Sequence, residues 1–114
     1  MVMQESGEMY LESVLVLSKK GPVRSLDVAR HLGYSKPSIS RAMALLRENG
    51  YVNIDEHGYI TLTEKGAVIA NKIYDRHIVL TEYLKQLGID AKTAEEDACR
   101  MEHVISDSTY IALK

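Results

Sequence analysis

The spacing of apolar residues changes several times along this chain, and each change marks an element. Between Gly7 and Lys20, Leu11, Val14 and Leu15 recur at helical spacing and Ser18 continues the stripe, which predicts a first helix. Lys19 and Lys20 suit its negative C-terminal end, and Gly21-Pro22 stops it. Ser25 is placed to cap a short helix over Leu26 to Leu32, which Gly33 closes. Ser35 is placed to cap the next, over Lys36 to about Glu48, with Pro37 in its first turn and Asn49-Gly50 at its end. There Ile39, Met43 and Leu46 face inward, leaving Lys36, Ser38, Arg41 and Arg47 outside. The period then shortens to two. Val52 and Ile54 alternate with Asn53 and Asp55, Glu56-His57-Gly58 turns, and Ile60 and Leu62 alternate with Tyr59 and Thr61.

Helical spacing returns after Thr63, a capping residue. Ile69, Ile73, Leu80, Leu84 and Leu87 form the stripe of a long helix ending near Gly88, with His77 inside the stripe. Gly88-Ile89-Asp90 leads to a further helix opened by Lys92-Thr93, whose Ala94, Ala98, Met101 and Ile105 can pack inward. Ser106-Asp107-Ser108 caps a last short stretch, Thr109 to Lys114. Two short helices joined by a glycine turn and followed at once by a hairpin read as a winged helix-turn-helix. Its second helix would enter the major groove of DNA while the wing follows the backbone. The expected fold class is mainly α with a small β-hairpin wing. Residues 1–74 form the DNA-binding domain in this reading, and residues 75–114 a separate helical region.

With 114 residues and 46% hydrophobic content, the chain can bury one core and carry a helical appendage. Its single cysteine excludes an internal disulfide and fits a reducing, cytoplasmic setting. Met1 to Glu5 lacks the basic-then-apolar pattern of a secretory leader, and Val14 to Leu17 is too short an apolar run to span a bilayer. A net charge of −2 is unusual for a DNA-binding protein, but the charge is unevenly spread. Lys19, Lys20, Arg24, Arg30, Lys36, Arg41 and Arg47 face only Asp27 and Glu48 within their stretch, whereas Glu95, Glu96, Asp97, Glu102 and Asp107 dominate the end. That partition points to a polyanion site early and a cation site late.

The late stretch carries the distinctive chemistry. On a continuous helix, Cys99, Glu102 and His103 stand at i, i+3 and i+4 and share a side with Glu95. A thiol, a carboxylate and an imidazole together are donors that divalent transition metals select. The same residues also fit a structural cysteine beside a solvated acid and histidine. Met9 and Glu12 share a side of the first helix, where a Met is usually core filler and a Glu usually solvated, and an inward His77 taken alone is more often a hydrogen-bonded core residue than a ligand. A metal-independent winged-helix regulator therefore stands as the alternative. A metalloenzyme is disfavoured, because no general base stands out beside the donor set.

The order of elements, together with Glu8-Met9-Tyr10-Leu11-Glu12, Ser35-Lys36-Pro37-Ser38-Ile39-Ser40, Thr61-Leu62-Thr63-Glu64-Lys65-Gly66, Arg76-His77 and Glu96 to Asp107, resembles the diphtheria toxin repressor family of metal-dependent transcription regulators. The likeness covers nearly the whole chain. It implies a repressor, not an enzyme, that a metal activates to bind a palindromic operator on double-stranded DNA as a homodimer. It also implies an iron-type site of Met9, Cys99, Glu102 and His103, with His77 in a neighbouring site and Glu12 matching a carboxylate of manganese-type members. Met9 and Cys99 fall where manganese-type members have carboxylates, and Thr81 and Glu95 where iron-type members have a glutamate and a histidine, so the chain reads as a hybrid. The implied cofactor is Fe(II), with Mn(II) as a second possibility and Zn(II), Co(II) or Ni(II) as substitutes in vitro. The implied DNA contacts are Ser35, Lys36, Ser38, Arg41 and Arg47. Family members usually continue through a longer dimerisation region than the one present here.

Overall fold

The computed structural model describes residues 4–114; Met1 to Met3, which open the segment read for leader features, lie outside the described residues. The described chain forms two compact units that divide after Asn71. The first contains α1 (Glu5–Ser18), α2 (Ser25–Leu32), α3 (Lys36–Glu48), β1 (Val52–Ile54), β2 (Ile60–Leu62) and the opening turns of α4 (Glu64–Gln86). The second contains the remainder of α4, α5 (Ala91–Met101) and α6 (Asp107–Leu113). This matches the expected mainly helical class with a two-stranded wing.

Local chemistry explains the boundaries in the first unit. Asp27 accepts the Arg24 N–H at 2.9 Å, so α2 is capped by Arg24 and Ser25 lies inside the helix. Gly33 ends it in the left-handed region at φ +75°, donating to the Ala29 carbonyl at 2.8 Å. Ser35 caps α3 through its side-chain oxygen, which accepts the Ser38 N–H at 3.3 Å. In the wing Val52 pairs with Leu62, Asn53 with Thr61 and Ile54 with Ile60. Asp55 closes its turn by accepting the N–H groups of His57 and Tyr59, each at 2.9 Å. The Ile60 N–H reaches the Val23 carbonyl at 2.7 Å and fastens the wing to the segment before α2. Leu11, Val14, Val28, Ile39, Met43, Leu46, Val52 and Ile60 form one core, so α3, the recognition helix of the winged helix-turn-helix, is set by packing on α2 and the wing. Ser18, expected on the inner stripe, is exposed instead and bonds the Leu15 carbonyl, because α1 ends there.

In the second unit Ile73, Leu80 and Leu84 of α4 are buried, as are Ala94 and Ala98 of α5. Leu87 is not part of that stripe. Helix α4 stops at Gln86, and Leu87 is 62% exposed in the turn that Gly88 completes at φ +93°. Asp90 caps α5 by accepting the Thr93 N–H at 3.1 Å, and Ser106 caps α6 by accepting that of Thr109 at 3.1 Å. No helix among the described residues is long and apolar enough to cross a membrane.

The start of α4 is pinned to the end of the recognition helix. Thr63 donates its hydroxyl to the Gly50 carbonyl at 2.7 Å and accepts the Gly66 N–H at 3.1 Å, while Lys65 bonds the Asn49 carbonyl at 3.1 Å. Gly66 lies so close to the Tyr51 carbonyl that a Cβ there would overlap backbone. Gly66→Ala should therefore destabilise the first unit by about 1–3 kcal/mol despite its better helix propensity. Chemical denaturation checks this, and a variant as stable as wild type would show that the contact yields freely.

Candidate metal centre and nucleic-acid interface

Helix α5 ends one residue before Glu102, which is its C-cap with helical dihedrals, and His103 lies in the turn that follows. The donor side chains thus stand at a helix terminus rather than along one helical face. Glu102 is fully buried. Its Oε2 lies 2.9 Å from Nδ1 of His77 on α4, and its Oε1 lies 3.3 Å from Nε2 of His103. The second approach lacks hydrogen-bond geometry, so Oε1 accepts no hydrogen bond among the described residues. A buried carboxylate with one oxygen unanswered, flanked by two imidazoles, is a donor set suited to a divalent transition metal. These residues therefore fit the metal that their chemistry implies.

The other predicted ligands are placed as follows. Met9 and Glu12 are half-buried on α1 in the first unit. Cys99 is exposed on the last turn of α5, three residues before Glu102. The second unit thus brings together His77, Glu102 and His103, with Cys99 at the edge of the same turn.

Two residues near this cluster escaped notice as functional. Arg76 is 5% exposed and donates through Nη1 to the carbonyls of Ile105 at 2.9 Å and Glu102 at 3.4 Å, while Nη2 contacts the Asp107 carboxylate. Asp107 is held below the usual carboxylate range, first by its bond to Lys72 and then by the charges of Lys72 and Arg76. A signal for Arg76 was present in the sequence: it occupies the inward stripe between Ile73 and Leu80, where a guanidinium must find acceptors.

On α3, Ile39, Met43 and Leu46 are buried, while Arg41 is exposed on the opposite side. The Arg41 guanidinium reaches Ser38 Oγ at 3.5 Å, and Ser38 in turn receives the Ser35 hydroxyl at 2.9 Å. Ser35, Lys36 and Arg47 are also exposed, giving this helix a polar, basic outer side.

One unit is a winged helix-turn-helix and the other carries a buried carboxylate–imidazole cluster, the combination expected of a metal-responsive DNA-binding protein. The iron-dependent repressor N-terminal DNA-binding domain matches residues 2–68, and the iron-dependent repressor metal-binding and dimerisation domain matches residues 63–114. The chain belongs to the iron-dependent repressor family, in agreement with the resemblance read from its sequence. An HTH-type transcriptional regulator of Methanocaldococcus jannaschii is 37% identical over 98% of this chain and 92% of its own length. A diphtheria toxin repressor of Corynebacterium efficiens is 29% identical over 90% of this chain and 46% of its own. The solved manganese regulator SloR superposes with a TM-score of 0.82 at 26% identity, over 99% of this chain and 53% of its own. The chain thus spans about half the length of these last two relatives.

The hydrogen bond to the Glu102 carboxylate, reinforced by the charges of Glu102 and Glu95, raises His77 above its ordinary value of 6.5 although burial works to lower it. A pKa raised in the folded state stabilises the fold fully below the unfolded value, and that stabilisation is lost as pH rises through the raised one. In chelator-treated protein, the stability advantage of wild type over His77→Gln should be largest near about pH 5.5 and shrink toward about pH 9. Urea unfolding across that range measures it, and an advantage that grows with pH would contradict the pairing.

Proposed function

We propose that this chain is a metal-activated transcriptional repressor of metal homeostasis, working in the cytoplasm as a homodimer on a palindromic operator and not as an enzyme. The observation that carries the reading is the buried Glu102 between His77 and His103 in a chain whose other unit is a winged helix-turn-helix. The proposed ligands are Met9, Glu12, His77, Cys99, Glu102 and His103. DNA binding falls to residues 1–74, and metal binding and dimerisation to residues 75–114. The match of residues 63–114 to a metal-binding and dimerisation domain supports self-association.

When bound, the ion supplies a fixed positive charge that several donors share. Because those donors belong to both units, holding them restricts how the recognition helices of a dimer are presented, and so the half-site spacing. Ser35 and Lys36 at the start of α3 suit phosphate, Ser38 steadies Arg41, and Arg41 suits a bidentate contact to guanine. Met9 and Cys99 add soft donors, which raise affinity for Fe(II) and later metals relative to Mn(II). With zinc, nickel and copper held low in cells, Fe(II) is the proposed effector. Mn(II) is the weaker alternative, favoured by Glu12 and Glu102, and Zn(II), Co(II) or Ni(II) would substitute in vitro.

Selection of DNA from a random pool, anaerobically and at fixed salt, should enrich a palindrome with Fe(II) and not with chelator. Equal enrichment in both would support a metal-independent regulator. On the enriched site, Arg41→Ala should relax preference at one base in each half-site by about 1–3 kcal/mol. A uniform loss on all sequences would make Arg41 a phosphate contact. Metal should also suppress alkylation of Cys99, because ligation requires and occupies its thiolate. Equal labelling rates with and without metal would remove Cys99 from the ligand set.

A further inference from the structure

Helix α4 presents two consecutive residues, Arg76 and His77, to the end of α5. His77 holds the side chain of Glu102, and Arg76 holds its main chain. Because α5 ends at Met101, the carbonyls that follow lack helical partners. Arg76 satisfies two of them, those of Glu102 and Ile105, which bracket His103. The same guanidinium contacts Asp107, the first residue of α6, and its carbon stands 5.4 Å from the centre of the Tyr110 ring. Its Nε–H has no acceptor among the described residues, so the group's cost of burial is met by the bonds on its two Nη atoms.

We propose that Arg76 is a positioning residue for the metal-binding turn. It fixes the carbonyl of Glu102 and that of Ile105, on either side of His103, and so sets the direction from which the Glu102 and His103 side chains approach an ion. The inference rests on the metal-dependent reading given above, but assigns a role to a residue that would itself contact neither metal nor DNA. A planar guanidinium is needed because one group must reach two carbonyls and a carboxylate at once. A lysine ammonium keeps the charge but cannot span that fork. Partners that orient ligands from behind typically change metal affinity by about 10–100-fold when lost.

The test is Mn(II) affinity, from the electron paramagnetic resonance signal of the free ion, for wild type, Arg76→Lys and Asp107→Asn. The apo unfolding midpoint is measured alongside. Arg76→Lys should weaken Mn(II) binding about tenfold or more. Asp107→Asn leaves the carbonyl bonds in place and removes only the ion pairs of a carboxylate that is itself exposed, so its affinity should stay within about fivefold of wild type even if its midpoint falls further. Wild-type affinity in Arg76→Lys overturns the proposal, as does an affinity loss in Asp107→Asn equal to that in Arg76→Lys. If Arg76→Lys does not fold, nuclear magnetic resonance of the wild-type Arg76 Nε–H decides. Its resonance should shift on titration with diamagnetic Zn(II), and an unmoved resonance on a protein that binds Zn(II) overturns the proposal. Wild-type protein that binds neither Mn(II) nor Zn(II) would instead remove the metal-dependent reading itself.

Discussion

Taking a carboxylate out of water costs several kcal/mol unless its charge is answered nearby, and Glu102 is fully buried. His77 answers one oxygen by a hydrogen bond, and His103 approaches the other without making one. Everything around Glu102 serves to keep this arrangement in place. Helix α5 ends where the carboxylate begins, Arg76 collects the carbonyls released by that ending, and Ser106 starts α6 immediately beyond. In the proposed function His77, Glu102 and His103 would hold a metal ion, whose positive charge would answer the buried carboxylate.

The first unit meets a different constraint. Its recognition helix must be rigid behind and polar in front. Ile39, Met43 and Leu46 sink into the core, while Lys36, Arg41 and Arg47 stay in solvent. The wing is tied on by the Ile60–Val23 bond and the start of α4 by Thr63 and Lys65. Net charge hides this polarity because the acidic end offsets the basic start, leaving −2 overall. A cation bound at the acidic end would reduce repulsion from DNA phosphates as well as order the ligands.

Punctuation was the most legible part of the sequence. Gly33, Ser35, Thr63, Ser106 and the Glu56-His57-Gly58 turn act locally, through dihedrals or one hydrogen bond, so they can be read without knowing the tertiary contacts. The wing followed from alternation for the same reason. Less legible was what distant residues decide. Helix α5 stops at Met101, and the carbonyls of Glu102 and Ile105 beyond it are met by Arg76 from another helix, a partner that local sequence does not reveal. The i, i+3, i+4 face drawn through Cys99, Glu102 and His103 therefore became a helix end and a turn, with Cys99 exposed and Glu102 buried. Leu87 matched the helical period but fell after the last turn, where Gly88 takes over.

The central claim is that metal and DNA are bound by one coupled system. Linkage then requires each to raise the affinity for the other by the same factor, typically about 1–3 kcal/mol of coupling. The most direct measurement is Fe(II) affinity, determined anaerobically with and without saturating operator DNA, set beside operator affinity with and without saturating Fe(II). The account predicts that both ratios exceed one and agree. Fe(II) affinity unchanged by operator would contradict it, even if the protein bound each partner tightly alone.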